Sequence, residues 1–126
     1  MTNEHAAPTL TATALVSEVS VVTVLSELTI REWKQMSKDV LQRKRIAECR
    51  GTVLDLSAMR CMDSTDIEML RRMLQVARLV GHPIVIAELR PAVVATLVQL
   101  GLDLHPEEVN GTVEDAIVQI RNRTSK

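Results

Sequence analysis

Thr52-Val53-Leu54-Asp55-Leu56 and Pro83-Ile84-Val85-Ile86-Ala87 are short, almost wholly apolar runs, each leading into sequence with helical periodicity. Neither run alternates apolar with polar, so a strand made from either must be covered on both faces. That is the mark of a parallel strand inside an α/β sheet. Between them, Ile67, Leu70, Met73, Leu74, Ala77 and Val80 recur at helical spacing opposite Glu68, Arg71, Arg72, Gln75 and Arg78. Gly81 then stands where a helix ends in a left-handed residue. After the second run, Arg90-Pro91 opens a further helix with Val94, Leu97, Val98 and Leu100 as its apolar side, closed by Gly101.

The flanks extend the alternation. Residues 1–8 read as a flexible leader ending at Pro8. Thr9 to Leu15 and Val19 to Leu25 read as a hairpin about Ser17-Glu18. Thr29 to Ala47 is a first helix on Ile30, Trp33, Met36 and Val40, stopped before Gly51. Residues 102–110 admit a short edge strand. Asn110-Gly111 is a turn, and Thr112 begins a last helix through Val113, Ala116, Ile117 and Ile120. The expectation is an α/β fold in one domain, residues 9–126. It has a mixed sheet of four to five strands and about four helices, largely on one face.

Several function classes are excluded by what the chain lacks. With 15 basic and 16 acidic residues the net charge is −1, so no overall field draws in nucleic acid or an anionic membrane. Trp33 is the single aromatic residue, which removes the ring platforms that read unpaired bases. No apolar stretch approaches the ~20 residues of a membrane span. Met1 to His5 lacks a signal-peptide pattern. Cys49 and Cys61 are too few for a disulfide scaffold, so the expected setting is the cytoplasm, with reduced thiols. There is no Gly-rich phosphate loop, no nucleophile elbow and no metal-ligand spacing, and His5, His82 and His105 are scattered. Neither an enzyme, a metal nor a cofactor is expected. Gln42-Arg43-Lys44-Arg45 reads as the solvated basic end of the first helix, and Asp55 as a strand-end polar residue.

What remains is Cys61-Met62-Asp63-Ser64-Thr65-Asp66, at the switch from the central strand into the second helix. A helix N-terminus at the carboxyl end of a sheet strand is where open α/β sheets present ligands or receive phosphate. Cys61 there is either a thiol activated by the helix or a small half-buried residue. Ser, Thr and Asp in such a place are first of all caps, and the loop has more caps than one helix needs. Thr65 to Glu68 fits a capping box, and Asp63 with Asp66 in the first turn serves equally. Under either arrangement the Ser64 hydroxyl is spare.

Gly51 to Ser57, Met62 to Thr65, Ala77 to Gly81 and above all Leu89 to Leu102 resemble the STAS domain, the anti-sigma-factor antagonist family, over about residues 10–121. The Leu89 to Leu102 stretch is most similar to the stressosome subgroup, and within it to the small RsbS-type scaffold. The homologous sensors carry an extra N-terminal domain and typically have threonine where this chain has Ser64. The resemblance implies a non-enzymatic, cytoplasmic scaffold in a bacterial stress-signalling pathway. It would be phosphorylated on Ser64, with Thr65 as a possible second acceptor, and would form homo- or hetero-oligomers with sensor STAS proteins. Its partner would be a serine/threonine kinase of the histidine-kinase-like ATPase class, held until Ser64 is phosphorylated, with a phosphatase to reset it. The surface around Ser64, namely Asp63, Thr65, Asp66, Glu68 and Arg71, would be the partner contact. Two alternatives stand: a simple monomeric antagonist that binds an anti-sigma-factor kinase, and a non-phosphorylated STAS subunit of a transport complex. Simple antagonists usually have glycine two after the serine, where this chain has Asp66.

Overall fold

A computed structural model describes residues 11–45 and 48–124. The leader at 1–8, the expected strand start at residues 9–10 and the end of the first helix at 46–47 lie outside the described residues, as does His5.

β1 (Thr11–Val16) and β2 (Val19–Val24) pair antiparallel through a two-residue turn in which Ser17 (φ 51°) and Glu18 (φ 68°) are both left-handed. Such a turn matches the twist of the strands but normally recruits Gly or Asn. Here it is held from outside: Arg50 pairs with Glu18 at 2.9 Å, and Arg121 Nη1 donates to the Ser17 carbonyl at 2.7 Å. From β2 onward each strand is parallel to the next: β3 (Thr52–Asp55), β4 (Ile84–Ala87) and β5 (Val109–Asn110), in the spatial order β1-β2-β3-β4-β5. The crossovers are α1 (Ile30–Gln42), α2 (Ser64–Val80) and α3 (Pro91–Gln99); α4 (Val113–Thr124) follows β5.

The two-face burial read from the strands has a direct counterpart in the packing. Val22, Val24, Leu54, Leu56, Ile84 and Ile86 face a core built with Trp33, Met36 and Val40 of α1, Ile67 to Ala77 of α2, and Val93 and Leu97 of α3. Val19, Val53, Val85 and Ala87 face Ala116 and Ile120 of α4. Three helices thus cover one face and α4 the other. Each large apolar side chain buried this way contributes about 1.5–3 kcal/mol. Gly51 permits a close backbone approach: a Cβ there would lie 2.8 Å from the Pro83 carbonyl oxygen and 3.0 Å from Ile120 Cγ2.

Three expectations are corrected. α1 ends at Gln42, and the basic run forms a tighter 3₁₀ turn, Arg43–Arg45, rather than the last α turn. α2 begins at Ser64, inside the Cys61 to Asp66 segment placed at the switch into the helix, because Asp63 caps it. On α3 the buried pair is Val93 and Leu97, an i, i+4 ridge; Val94, Val98 and Leu100 face outward, Val98 at 76% exposure. Val80, assigned to the apolar side of α2, is 43% exposed, whereas Met69 is buried. The edge strand admitted within 102–110 is present as β5, preceded by a 3₁₀ turn at Pro106–Glu108.

Candidate functional site

The loop leaving β3 is pinned at several points before it becomes α2. The Asp55 carboxylate accepts the Ser57 amide at 2.9 Å, turning the chain off the sheet. Met59 and Met62 are buried beneath it. Arg90, at the entrance to α3, donates from Nε to the Ser57 carbonyl at 2.7 Å and so ties two successive strand-to-helix loops together.

Asp63 is the N-cap, in extended conformation. Its carboxylate accepts the Asp66 amide at 2.8 Å, and Asp66 returns a carboxylate oxygen to the Asp63 amide at 3.0 Å. The second capping arrangement open in the sequence is therefore the one adopted. Glu68 does not reach back to Thr65; it accepts from Arg71 at 2.6 Å and Arg72 at 3.2 Å. The other Asp66 oxygen accepts the indole N–H of Trp33 at 2.8 Å. Trp33 is wholly buried, so the lone aromatic ring of the chain fastens α1 to the first turn of α2 by its one polar atom. Ser64 is the first residue of α2, exposed, and its hydroxyl makes no hydrogen bond among the described residues. Thr65, next to it, is exposed as well.

The charges follow from these contacts. The Asp66 amide holds the Asp63 carboxyl below the usual carboxylate range, and Arg72 and Arg71 do the same for Glu68. Cys61 is shifted the other way: its thiol donates to Glu27 at 3.5 Å, and that hydrogen bond and the Glu27 charge raise its pKa. The activated-thiol reading of Cys61 is thereby removed, since a raised pKa means less thiolate.

Ser64, Thr65, Glu68 and Arg72 line one side of an open groove between α2 and α1, with Ile30 and Lys34 opposite and Met69 beneath. Of the residues expected around Ser64, Asp63, Thr65, Asp66 and Glu68 are together. Arg71 turns toward a different recess, lined also by Arg78, Leu102 and Asp103. Sequence reasoning missed Lys34 and Arg72 as neighbours of Ser64, and missed the indole bond. A single tryptophan in a chain without Phe or Tyr was the available signal, because a buried indole N–H requires an acceptor.

At the other end of the strands, the Thr52 hydroxyl lies 2.8 Å from His82 Nε2. Burial, and secondarily the Lys44 charge, push His82 down to about 4. Arg78 forks onto Glu108 at 2.8 and 2.6 Å. Burial alone raises the Glu108 carboxyl, but Arg78 and the His105 amide outweigh it and leave it lowered. Among the described residues, no group of three or more His, Cys, Asp or Glu is placed to hold a metal ion. No described helix is long and apolar enough to cross a membrane.

A family model described as "Mlab, STAS domain" matches residues 11–107. Among curated proteins the chain has no match. Among solved structures it is similar to Moorella thermoacetica RsbS with a serine-to-glutamate substitution. That match has 24% identity and a TM-score of 0.78, covering 94% of this chain and all of that one. It is also similar to a chain from the molecular architecture of the stressosome, a signal integration and transduction hub, at 26% identity and TM-score 0.73, covering 91% of this chain and 100% of that one. The unphosphorylated anti-sigma factor antagonist SpoIIAA aligns at 16% identity and TM-score 0.62, over 88% of this chain and 97% of that one. The five-stranded mixed sheet with its four α-helices is the fold these proteins share.

Proposed function

The chain belongs to the STAS domain family, and on that premise we propose that it is a stressosome-type anti-sigma-factor antagonist that acts as a phosphorylation-switched scaffold. In this reading residues 9–126 form one STAS domain that assembles in the cytoplasm with homologous sensor STAS proteins. It has no catalytic role. Unphosphorylated, it holds a serine kinase of the histidine-kinase-like ATPase class; phosphorylated on Ser64, it releases that kinase, and a phosphatase restores the first state. Likeness to RsbS, to a stressosome chain and to SpoIIAA supports the antagonist role.

The observation that carries the reading is the division of labour at the start of α2. Asp63 and Asp66 satisfy the cap between them, which leaves the exposed Ser64 hydroxyl without a structural duty. The γ-phosphoryl group of ATP would pass to Ser64 Oγ, with ADP leaving and the hydroxyl proton going to a base on the kinase. The ester adds about −1.5 to −2 charge at neutral pH beside two carboxylates. A partner surface fitted to a neutral hydroxyl then meets repulsion and a desolvation cost. Asp63, Thr65, Asp66 and Glu68 frame this contact; Arg71 acts through Glu68, whose carboxylate it holds.

The test incubates the protein with the kinase and ATP, maps phosphate by mass spectrometry, and compares kinase binding by wild type, Ser64→Ala and Ser64→Asp. Label on Ser64, binding by Ser64→Ala and weakened binding by Ser64→Asp are expected. Equal binding by all three refutes the switch. An unlabelled Ser64 with active kinase favours a STAS subunit of a transport complex. A labelled protein that forms no large assembly with its sensor partners is the simple monomeric antagonist.

A further inference from the structure

The groove beside Ser64 does not stop at α2. It runs into a second open groove along α1, the two sharing Ile30 and Lys34 as lining residues. Arg31, Lys34 and Lys38 stand along this surface at i, i+3 and i+7, one stripe of the helix. All three are exposed, and none takes part in an ion pair among the described residues. Of the carboxylates nearby, Glu68 is paired with Arg71 and Arg72, while Asp39 accepts the Gln35 amide and keeps its charge. The lining of the two grooves thus holds four cations, Arg31, Lys34, Lys38 and Arg72, against the one carboxylate of Glu68, on a chain whose net charge is −1. It has an apolar centre as well, since Ile30 is 51% exposed at the rim and Met69 lies at the base. From Arg31 to Lys38 the helix rises about 10 Å, the reach of roughly three residues of extended chain.

We propose that this α1–α2 groove is the docking seat for an acidic segment of the partner kinase, anchored by one apolar side chain against Ile30 and Met69. The inference rests on the kinase-scaffold reading above and adds to it the recognition surface and its chemistry. It also gives the switch a second mechanism. A phosphoryl group on Ser64 sits at the end of the same groove, which Lys34 and the Glu68-paired Arg72 also line. The phosphate then takes the place of the partner's carboxylates, so release is competition for shared cations in addition to the repulsion that the phosphate's own charge sets up. Nucleic acid suits the groove less well, because an exposed isoleucine and a methionine floor offer nothing to a sugar-phosphate backbone and no ring for a base.

The test measures binding of the full chain to the serine kinase by calorimetry, comparing wild type with the double reversal Lys34→Glu/Lys38→Glu. A control of equal charge, Lys44→Glu/Arg123→Glu, lies away from the groove. Circular dichroism verifies that both variants fold. The groove reversal is expected to weaken binding about tenfold or more and to flatten its salt dependence, as loss of charge complementarity does. The control stays within about twofold. Reversing the acidic residues of the kinase segment restores binding to the groove variant. Equal loss in both variants reduces the effect to long-range net charge and overturns the proposal, as does an unchanged groove variant. A groove variant that binds the kinase normally but loses affinity for a labelled DNA oligonucleotide overturns it in favour of nucleic acid. If wild type binds no kinase at all, the scaffold reading itself falls, and with it this one.

Discussion

Asp66→Ala isolates the contact that sets the start of α2. The Asp66 carboxylate accepts from the Asp63 amide and from the buried indole of Trp33. The amide lies at the surface and finds water once the carboxylate is gone. The indole is the harder donor to satisfy, because Trp33 is 0% exposed. Leaving a buried donor without a partner costs about 1–3 kcal/mol, so a loss of roughly 2 kcal/mol is expected. For a chain of this length that lowers the melting temperature by about 8 °C. Trp33→Phe removes the donor instead and costs about 1 kcal/mol or more for the smaller ring. In the double variant no orphaned donor remains, so adding Asp66→Ala to Trp33→Phe costs under ~0.5 kcal/mol, giving a coupling of about 1.5 kcal/mol. Urea denaturation followed by far-ultraviolet circular dichroism measures all four proteins on one scale, since fluorescence disappears with Trp33. Additivity within ~0.5 kcal/mol would refute the claim that this bond joins the two helices.

His82 has a folded pKa of about 4, below its ordinary value of 6.5. The unfolded chain therefore takes up the proton first. The stability that goes with neutral His82 is complete above pH ~6.5 and is lost as pH falls toward 4, by up to ~3 kcal/mol; urea midpoints between pH 7 and 4.5 should drop more steeply for wild type than for His82→Gln. Gly51→Ala should destabilise by about 1–3 kcal/mol through its clash with Pro83 and Ile120. Gly111→Ala, with open space at its Cβ, should stay within ~0.5 kcal/mol in the same melts. Cys61, exposed but held protonated by Glu27, should alkylate slowly at pH 7.5 for a surface thiol, and Glu27→Gln should speed it. No acceleration would show that Glu27 does not control it.

The strand and helix order was legible because burial on two faces and on one stripe leaves different periods in sequence. Thr52 to Ala87 shows both periods in succession, and the strands and α2 fall there. The errors arose where two faces compete. On α3, Val93, Val94, Leu97 and Val98 are all apolar, so the pattern does not say which pair turns inward. The cap of α2 was equally undetermined, since Asp63 and Thr65 both head acceptable boxes. The deciding partner was Trp33, remote in sequence, whose indole claims Asp66. The α1 stripe stayed hidden for a related reason. Arg31, Lys34 and Lys38 look like any solvated helix face until the fold sets Ser64 in a groove that Lys34 shares.

Because the cap is made by Asp63 and Asp66 and not by the hydroxyl between them, the surface of this domain can be rewritten without touching the bonds that keep α2 wound. A phosphate at Ser64 would come and go on the schedule of the enzymes that add and remove it, with no refolding step in the cycle. The two carboxylates would thus separate the lifetime of the signal from the lifetime of the fold.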